Sequence, residues 1–97
     1  MNRRNTESIA QVIQRFLQEN GLEKPFLEQK VIDAWPRLLG STIQKYTRQL
    51  EIKNGVLFAH ITSAALRQEL FICRFDLVKK LNEEVGAEII RDIRLLS

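Results

Sequence analysis

The dipeptide Asn54-Gly55 constrains this chain more than any other feature. It interrupts an alternation of period two: Leu50 and Ile52 alternate with Gln49, Glu51 and Lys53 before it, and Leu57, Ala59 and Ile61 resume the alternation after it. Asn and Gly both accept the positive φ angles of a two-residue hairpin turn whose twist matches the strands it joins. A β-hairpin starting at Thr47 is therefore predicted, and the remaining elements must cover it.

On either side the apolar period lengthens to three and four. Ile9, Val12, Ile13, Phe16 and Leu17 mark a first helix over Thr6 to Asn20, with Asn5 or Thr6 as its cap and Asn20-Gly21 as its end. Pro25 suits the first turn of a second helix, in which Leu27, Val31, Trp35 and Leu38 recur at helical spacing. Pro36 predicts a kink or break near Trp35, before Gly40, and the residues up to Tyr46 suit one more short helical turn. After the hairpin, Ser63 can cap a long third helix lined by Leu66, Leu70, Cys73, Leu77 and Leu81 and stopped by Gly86. Ile89 to Leu96 reads as a third strand.

The order helix, helix, strand, strand, helix, strand defines an α+β fold, a three-stranded sheet with helices on one face. Leu50, Ile52, Leu57, Ala59, Ile61, Ile89, Ile93 and Leu95 are expected to face the helices. Alternation then puts Val56, Phe58, His60, Ile90, Arg94 and Leu96 on the open face, a candidate contact surface for a partner, for a second copy, or for a terminal segment folded across it. Within the third helix, Phe71, Ile72 and Phe75 fall outside the Leu stripe, so that helix is expected to be sandwiched between the sheet and the first helix, with these side chains and Phe16 in the core.

Ninety-seven residues suffice for one domain, expected to span 1–97 with residues 1–5 as a flexible arm. A hydrophobic share of 44% supports a core and argues against a disordered chain. No apolar run approaches the roughly 20 residues that span a bilayer, and no signal-peptide pattern opens the chain, so a cytoplasmic location without membrane contact is expected. The lone Cys73 cannot form an intramolecular disulfide and is expected to pack as a small hydrophobe.

The inventory for catalysis is poor. There is one His, His60, and one Cys, and the isolated glycines Gly21, Gly40, Gly55 and Gly86 form neither a P-loop nor a dinucleotide fingerprint. No enzyme activity, no cofactor and no metal are expected. The net charge of +3 is a small excess, so its distribution matters more than its size. Between Asp33 and Glu51 there is no acidic residue, whereas Arg37, Lys45 and Arg48 lie inside that window. Arg3 and Arg4 form a second small cluster. Arg67 and Arg74, seven residues apart, share one side of the predicted helix and suit phosphate or carboxylate contacts, or pairing with acidic neighbours.

Several residues in fixed order carry a resemblance: Val31-Ile32-Asp33-Ala34-Trp35, Leu39-Gly40, Thr47, Ile52-Lys53-Asn54-Gly55-Val56-Leu57, Thr62 to Leu70 (TSAALRQEL), and Leu81-Asn82. The sequence resembles the DciA-like family, long catalogued as a bacterial domain of unknown function, over about Ile9 to Leu96. The resemblance implies a K-homology-like domain that brings or keeps the replicative DNA helicase on DNA, with no ATPase of its own. It also implies mostly structural roles for the shared residues, with Trp35 in the core, Gly40 ending a helix and Gly55 turning the hairpin. The chain departs from true K-homology domains in having no Gly-x-x-Gly loop. It also ends at Ser97 without the basic extension of many such loaders, for which weaker DNA affinity or a different partner is the expectation.

The leading expectation is thus a non-enzymatic binding module of bacterial DNA replication, with the helicase as partner by resemblance and DNA contacted through Arg37, Lys45, Arg48, Arg67 and Arg74. The alternative is a homodimeric or protein-interaction adaptor that uses Val56, Phe58, His60, Ile90 and Arg94 of the open sheet face and binds no nucleic acid.

Overall fold

The structure is a computed structural model that describes residues 8–97. The expected arm over residues 1–5, the Asn5 or Thr6 cap and the Arg3-Arg4 cluster lie outside the described residues. Helix α1 (Ile9–Glu19) is capped instead by Ser8. The Ser8 hydroxyl accepts the Gln11 backbone N–H at 3.1 Å, and the Gln11 side-chain oxygen accepts the Ser8 N–H at 2.9 Å, so two otherwise orphaned donors are satisfied reciprocally.

Helix α2 (Glu23–Leu39) continues through Pro36 without a break. Pro36 stands close to the C-terminal end, where its missing N–H removes a single bond, and its own carbonyl accepts the Gly40 N–H at 2.9 Å. A short helix α3 (Ser41–Tyr46) follows, in the place where a helical turn is expected.

The hairpin is present as strands β1 (Thr47–Lys53) and β2 (Val56–Ile61), with Asn54 and Gly55 at φ 51° and 77°, both positive as the turn requires. Strand β3 (Asp92–Leu96) begins three residues later than the sequence suggests. The sheet order is β1-β2-β3, with β1 antiparallel and β3 parallel to the central β2. A parallel neighbour needs a long crossover, and the helices between β2 and β3 supply it.

That crossover is two helices, α4 (Ala64–Ile72) and α5 (Arg74–Val85), broken at Cys73, where one long helix is expected. Twenty-two residues in one straight helix would run roughly 33 Å, whereas a six-residue strand spans about 20 Å. Breaking the helix lets Leu70 of α4 and Leu77 and Leu81 of α5 all reach one core. Cys73 is consequently exposed at the elbow and not packed in a stripe.

Val31, Ala34 and Trp35 of α2, Leu57, Ala59 and Ile61 of β2, and Ile93 of β3 complete that core, which lies between the sheet and α2, α4 and α5. The α+β expectation holds, and the topology is compatible with a K-homology-like label. Other expectations fail in instructive ways. Phe16, Phe71, Ile72 and Phe75 are exposed and not core. The partner sandwiching α5 against the sheet is α2, while α1 touches α2 alone among the larger element contacts and buries none of its residues.

Two local devices fix the joints. Ser63 caps α4 by accepting the Leu66 N–H at 3.2 Å. Asn82 of α5 holds the segment between α5 and β3: its Oδ1 accepts the N–H groups of Ile89 and Ile90 at 3.0 and 3.1 Å, and its Nδ2 donates to the Ile90 carbonyl at 2.8 Å. This pulls Ile90 into the core at 4% exposure. Ile90 was expected on the open sheet face; it precedes the strand, and Asn82 turns it the other way.

Candidate interaction surfaces

The open sheet face carries three cross-strand rows. Glu51, Phe58 and Arg94 form the middle row, Gln49, His60 and Leu96 one flank, and Lys53, Val56 and Asp92 the other. Val56, Phe58, His60 and Arg94 are therefore gathered as expected, with Phe58 half-buried between an acid and a base. Much of the charge on this face is internally paired: Lys53 lies 3.8 Å from Glu51, and Asp92 lies 4.0 Å from Arg94 and 3.6 Å from Arg74. The exposed pairs among these contribute about 0–1 kcal/mol each, whereas the Arg74–Asp92 pair is only partly exposed.

The five candidate phosphate contacts divide into three groups. Lys45, at the end of α3, and Arg48, at the irregular start of β1, lie at one end of the sheet. Arg67 joins them there, because its guanidinium donates to the carbonyl of Ile61, whose strand partner is Thr47. Arg48 also reaches across the sheet to donate to the Ser97 backbone oxygen at 3.2 Å, the same oxygen that lies 3.2 Å from His60 Nδ1. Arg37 stands apart on α2, 3.6 Å from Glu84 of α5, in a pair exposed at both side chains.

Arg74 is separated from Arg67 by the break at Cys73. It sits where β3 begins, its guanidinium carbon 3.9 Å from the Phe71 ring centre and 4.3 Å from that of Phe75, while also donating to the Phe71 carbonyl at 3.1 Å. Stacking of a guanidinium between two rings holds this side chain in one place at about 0.5–1 kcal/mol per ring. The seven-residue spacing that put Arg67 and Arg74 on one side therefore does not hold, since it assumed an unbroken helix.

Sequence reasoning missed two features. Arg91 clamps the hairpin tip: its guanidinium donates to the Asn54 carbonyl and its backbone N–H to the Gly55 carbonyl at 2.7 Å. No local pattern announces that contact, which spans 37 residues. The other is the exposed group Phe71, Ile72 and Phe75, for which a signal did exist, because their directions on the helix fall outside the Leu stripe.

Among the described residues no group of three or more His, Cys, Asp or Glu is arranged to hold a metal ion. None of their helices is long and apolar enough to cross a membrane.

The fold and these surfaces define a small α+β domain, three strands covered on one side by helices, with a cationic sheet end and several uncovered apolar side chains. The chain belongs to the family described as Dna[CI] antecedent, DciA, whose model matches residues 8–95. It is 29% identical over 92 residues to a UPF0232 protein of Corynebacterium glutamicum, covering 95% of this chain and 52% of that protein. Over 95 residues it is 27% identical to a UPF0232 protein of Streptomyces coelicolor, covering 96% of this chain and 50% of that protein. The chain thus spans about half the length of these curated relatives. No solved structure matches it.

Proposed function

We propose that this chain is a non-enzymatic binding module of bacterial DNA replication that acts in the cytoplasm, contacting the replicative helicase through protein surface and DNA through the cationic sheet end. Its membership of the DciA family over residues 8–95 carries this reading. The helicase comes from the family alone. The DNA contact is supported by the grouping of Lys45, Arg48 and Arg67 where β1 begins and β2 ends, whereas Arg37 stands apart, exposed and paired with Glu84. Arg74, stacked and ion-paired, serves the fold more than a ligand.

Phosphate contacts release counterions, so the reading has a quantitative signature. Three contacts give a slope of about −2 for log affinity against log salt with single strands, and nearly −3 with duplex. Titrating the full chain with fluorescent single- and double-stranded DNA at several salt concentrations measures it. The double variant Lys45→Glu with Arg48→Glu is expected to lose most of that affinity for all sequences alike. A slope near zero in the unaltered chain overturns the DNA part. The rival reading, an adaptor using the sheet face, loses Ile90 to the core and keeps only Val56, Phe58 and Leu96 as its apolar surface.

A further inference from the structure

Helix α1 has the most uneven distribution of side chains in the molecule. Ile9, Val12, Ile13 and Phe16 lie within about 100° of one another around its axis, given 100° per residue. Ala10, Ile13 and Leu17 on one flank turn toward a groove shared with Phe26 and Leu27 of α2 and with Val85, while the rest is more open: Ile9 is 79% exposed and Phe16 56%. Leu22 and Phe26, in the following turn and the start of α2, extend the same apolar surface. An 11-residue helix is marginal in water on its own, and helices of this length draw their stability from covering an apolar face. Here the body of the domain fully buries none of its residues.

We propose that the α1 stripe is the interface of a two-fold symmetric dimer, its occupant being α1 of a second copy of this chain. Area is the first argument. The four stripe side chains are all substantially exposed and present roughly 400 Å² per copy, about 800 Å² for a pair, which is the size of a small, weak interface and not of a standard one.

Charge is the second. The rest of α1 is mostly amide, Gln11, Gln14 and Gln18, with one Arg15 and one Glu19. Such a helix is neutral overall, which matches a copy of itself and gives no attraction for an anionic membrane or for nucleic acid. The sequence of the stripe is the third. In an antiparallel pair with its axis between Val12 and Ile13, Ile9 of each copy meets Phe16 of the other, and Val12 meets Ile13. Each of the four stripe residues then faces another of them, and Arg15 faces Ala10, so no like charges oppose. This is the self-complementarity that a two-fold interface requires.

Sedimentation equilibrium of the full chain, from about 1 to 100 µM, tests the proposal. The unaltered chain is expected to reach twice its 11.3 kDa mass within that range. Ile13→Asp and Val12→Lys should each reduce it to a monomer, because each buries an unpaired charge against its own copy. Mixing the two variants should restore a dimer containing one of each, as the new carboxylate and ammonium would face one another.

Neither residue is buried in the domain, so circular dichroism and melting of the remaining elements should change little, which separates loss of pairing from loss of fold. Phe58→Ser should leave the dimer intact, which distinguishes this interface from one on the sheet. A chain that stays monomeric throughout overturns the proposal, as does a dimer indifferent to Ile13→Asp, or variants that fail to pair when mixed. A monomer whose α1 variants lose binding to purified replicative helicase assigns the stripe to that partner instead, and also overturns it.

Discussion

Trp35 shows how one residue ties three elements. Its ring is buried in the core, and its indole N–H donates to the Thr47 hydroxyl at 3.0 Å, while that hydroxyl donates to the Ile43 carbonyl at 2.8 Å. The relay joins α2, α3 and β1 through a single oxygen that accepts once and donates once. Replacing Thr47 by Val keeps the shape and leaves a largely buried N–H and a carbonyl without this partner, for an expected cost of about 1–3 kcal/mol, whereas Ser keeps both bonds. Urea denaturation of Thr47→Val and Thr47→Ser should therefore give well-separated midpoints; coincident midpoints would remove the relay from the account of stability. Burial of Trp35 was legible from its spacing with Val31 and Leu38. Its pairing with Thr47 was not, since the two residues are twelve apart and the chain turns twice between them.

At the scale of elements, the hairpin was fully legible and the helix after it was not. Asn54-Gly55 encodes its turn within two residues, independently of the rest of the chain. The break at Cys73 instead answers a global requirement, that Leu66 and Leu70 pack near the sheet while Leu77 and Leu81 pack near α2, and no local breaker stands at that position. The late start of β3 has a similar origin. Ile89 and Ile90 have strand-like side chains, yet the parallel register places them beyond the start of β2 at Val56, and Asn82 satisfies their backbone groups instead. Replacing Asn82 by Ala removes three hydrogen bonds and releases the Gly86–Arg91 segment, which also carries the Arg91 clamp on the hairpin tip. A loss of about 2–3 kcal/mol is expected, given that these groups are only partly buried. Amide exchange should accelerate in β3 and at residues 54–56 more than in α2. Acceleration spread evenly over all elements would mean that Asn82 supports the core generally and does not act as a latch on that segment.

The whole molecule is longer than its residue count suggests: a compact chain of this size has a radius of gyration near 13 Å, whereas this one measures 16.2 Å with a longest extent of 56 Å. Helix α1 adds no buried residue to a body whose core draws on α2, β2, α4, α5, β3 and Ile90. The sequence disclosed the amphipathic character of α1 but not its separation, because an apolar stripe reports that a helix seeks cover without reporting whose. The same limit applied to the surfaces: the alternation in β2 correctly gathered Val56, Phe58 and His60, yet the grouping of Lys45, Arg48 and Arg67 required the strand register. Physical separation of α1 implies separate stability. A segment that buries none of its residues opens at low free-energy cost, so its amides should exchange near the rate of local unfolding, while those of α2, β2 and α5 should approach the rate of global unfolding. Hydrogen exchange at the lowest workable protein concentration should therefore resolve two classes, with protection in α1 lower by about 10²-fold or more, equivalent to about 3 kcal/mol. Raising the concentration should then slow exchange in α1 without altering the slow class, because mass action stabilises only the element that pairs. Protection of α1 equal to that of the core in dilute solution would show that the helix is held by the domain itself, and the stripe would no longer need a partner.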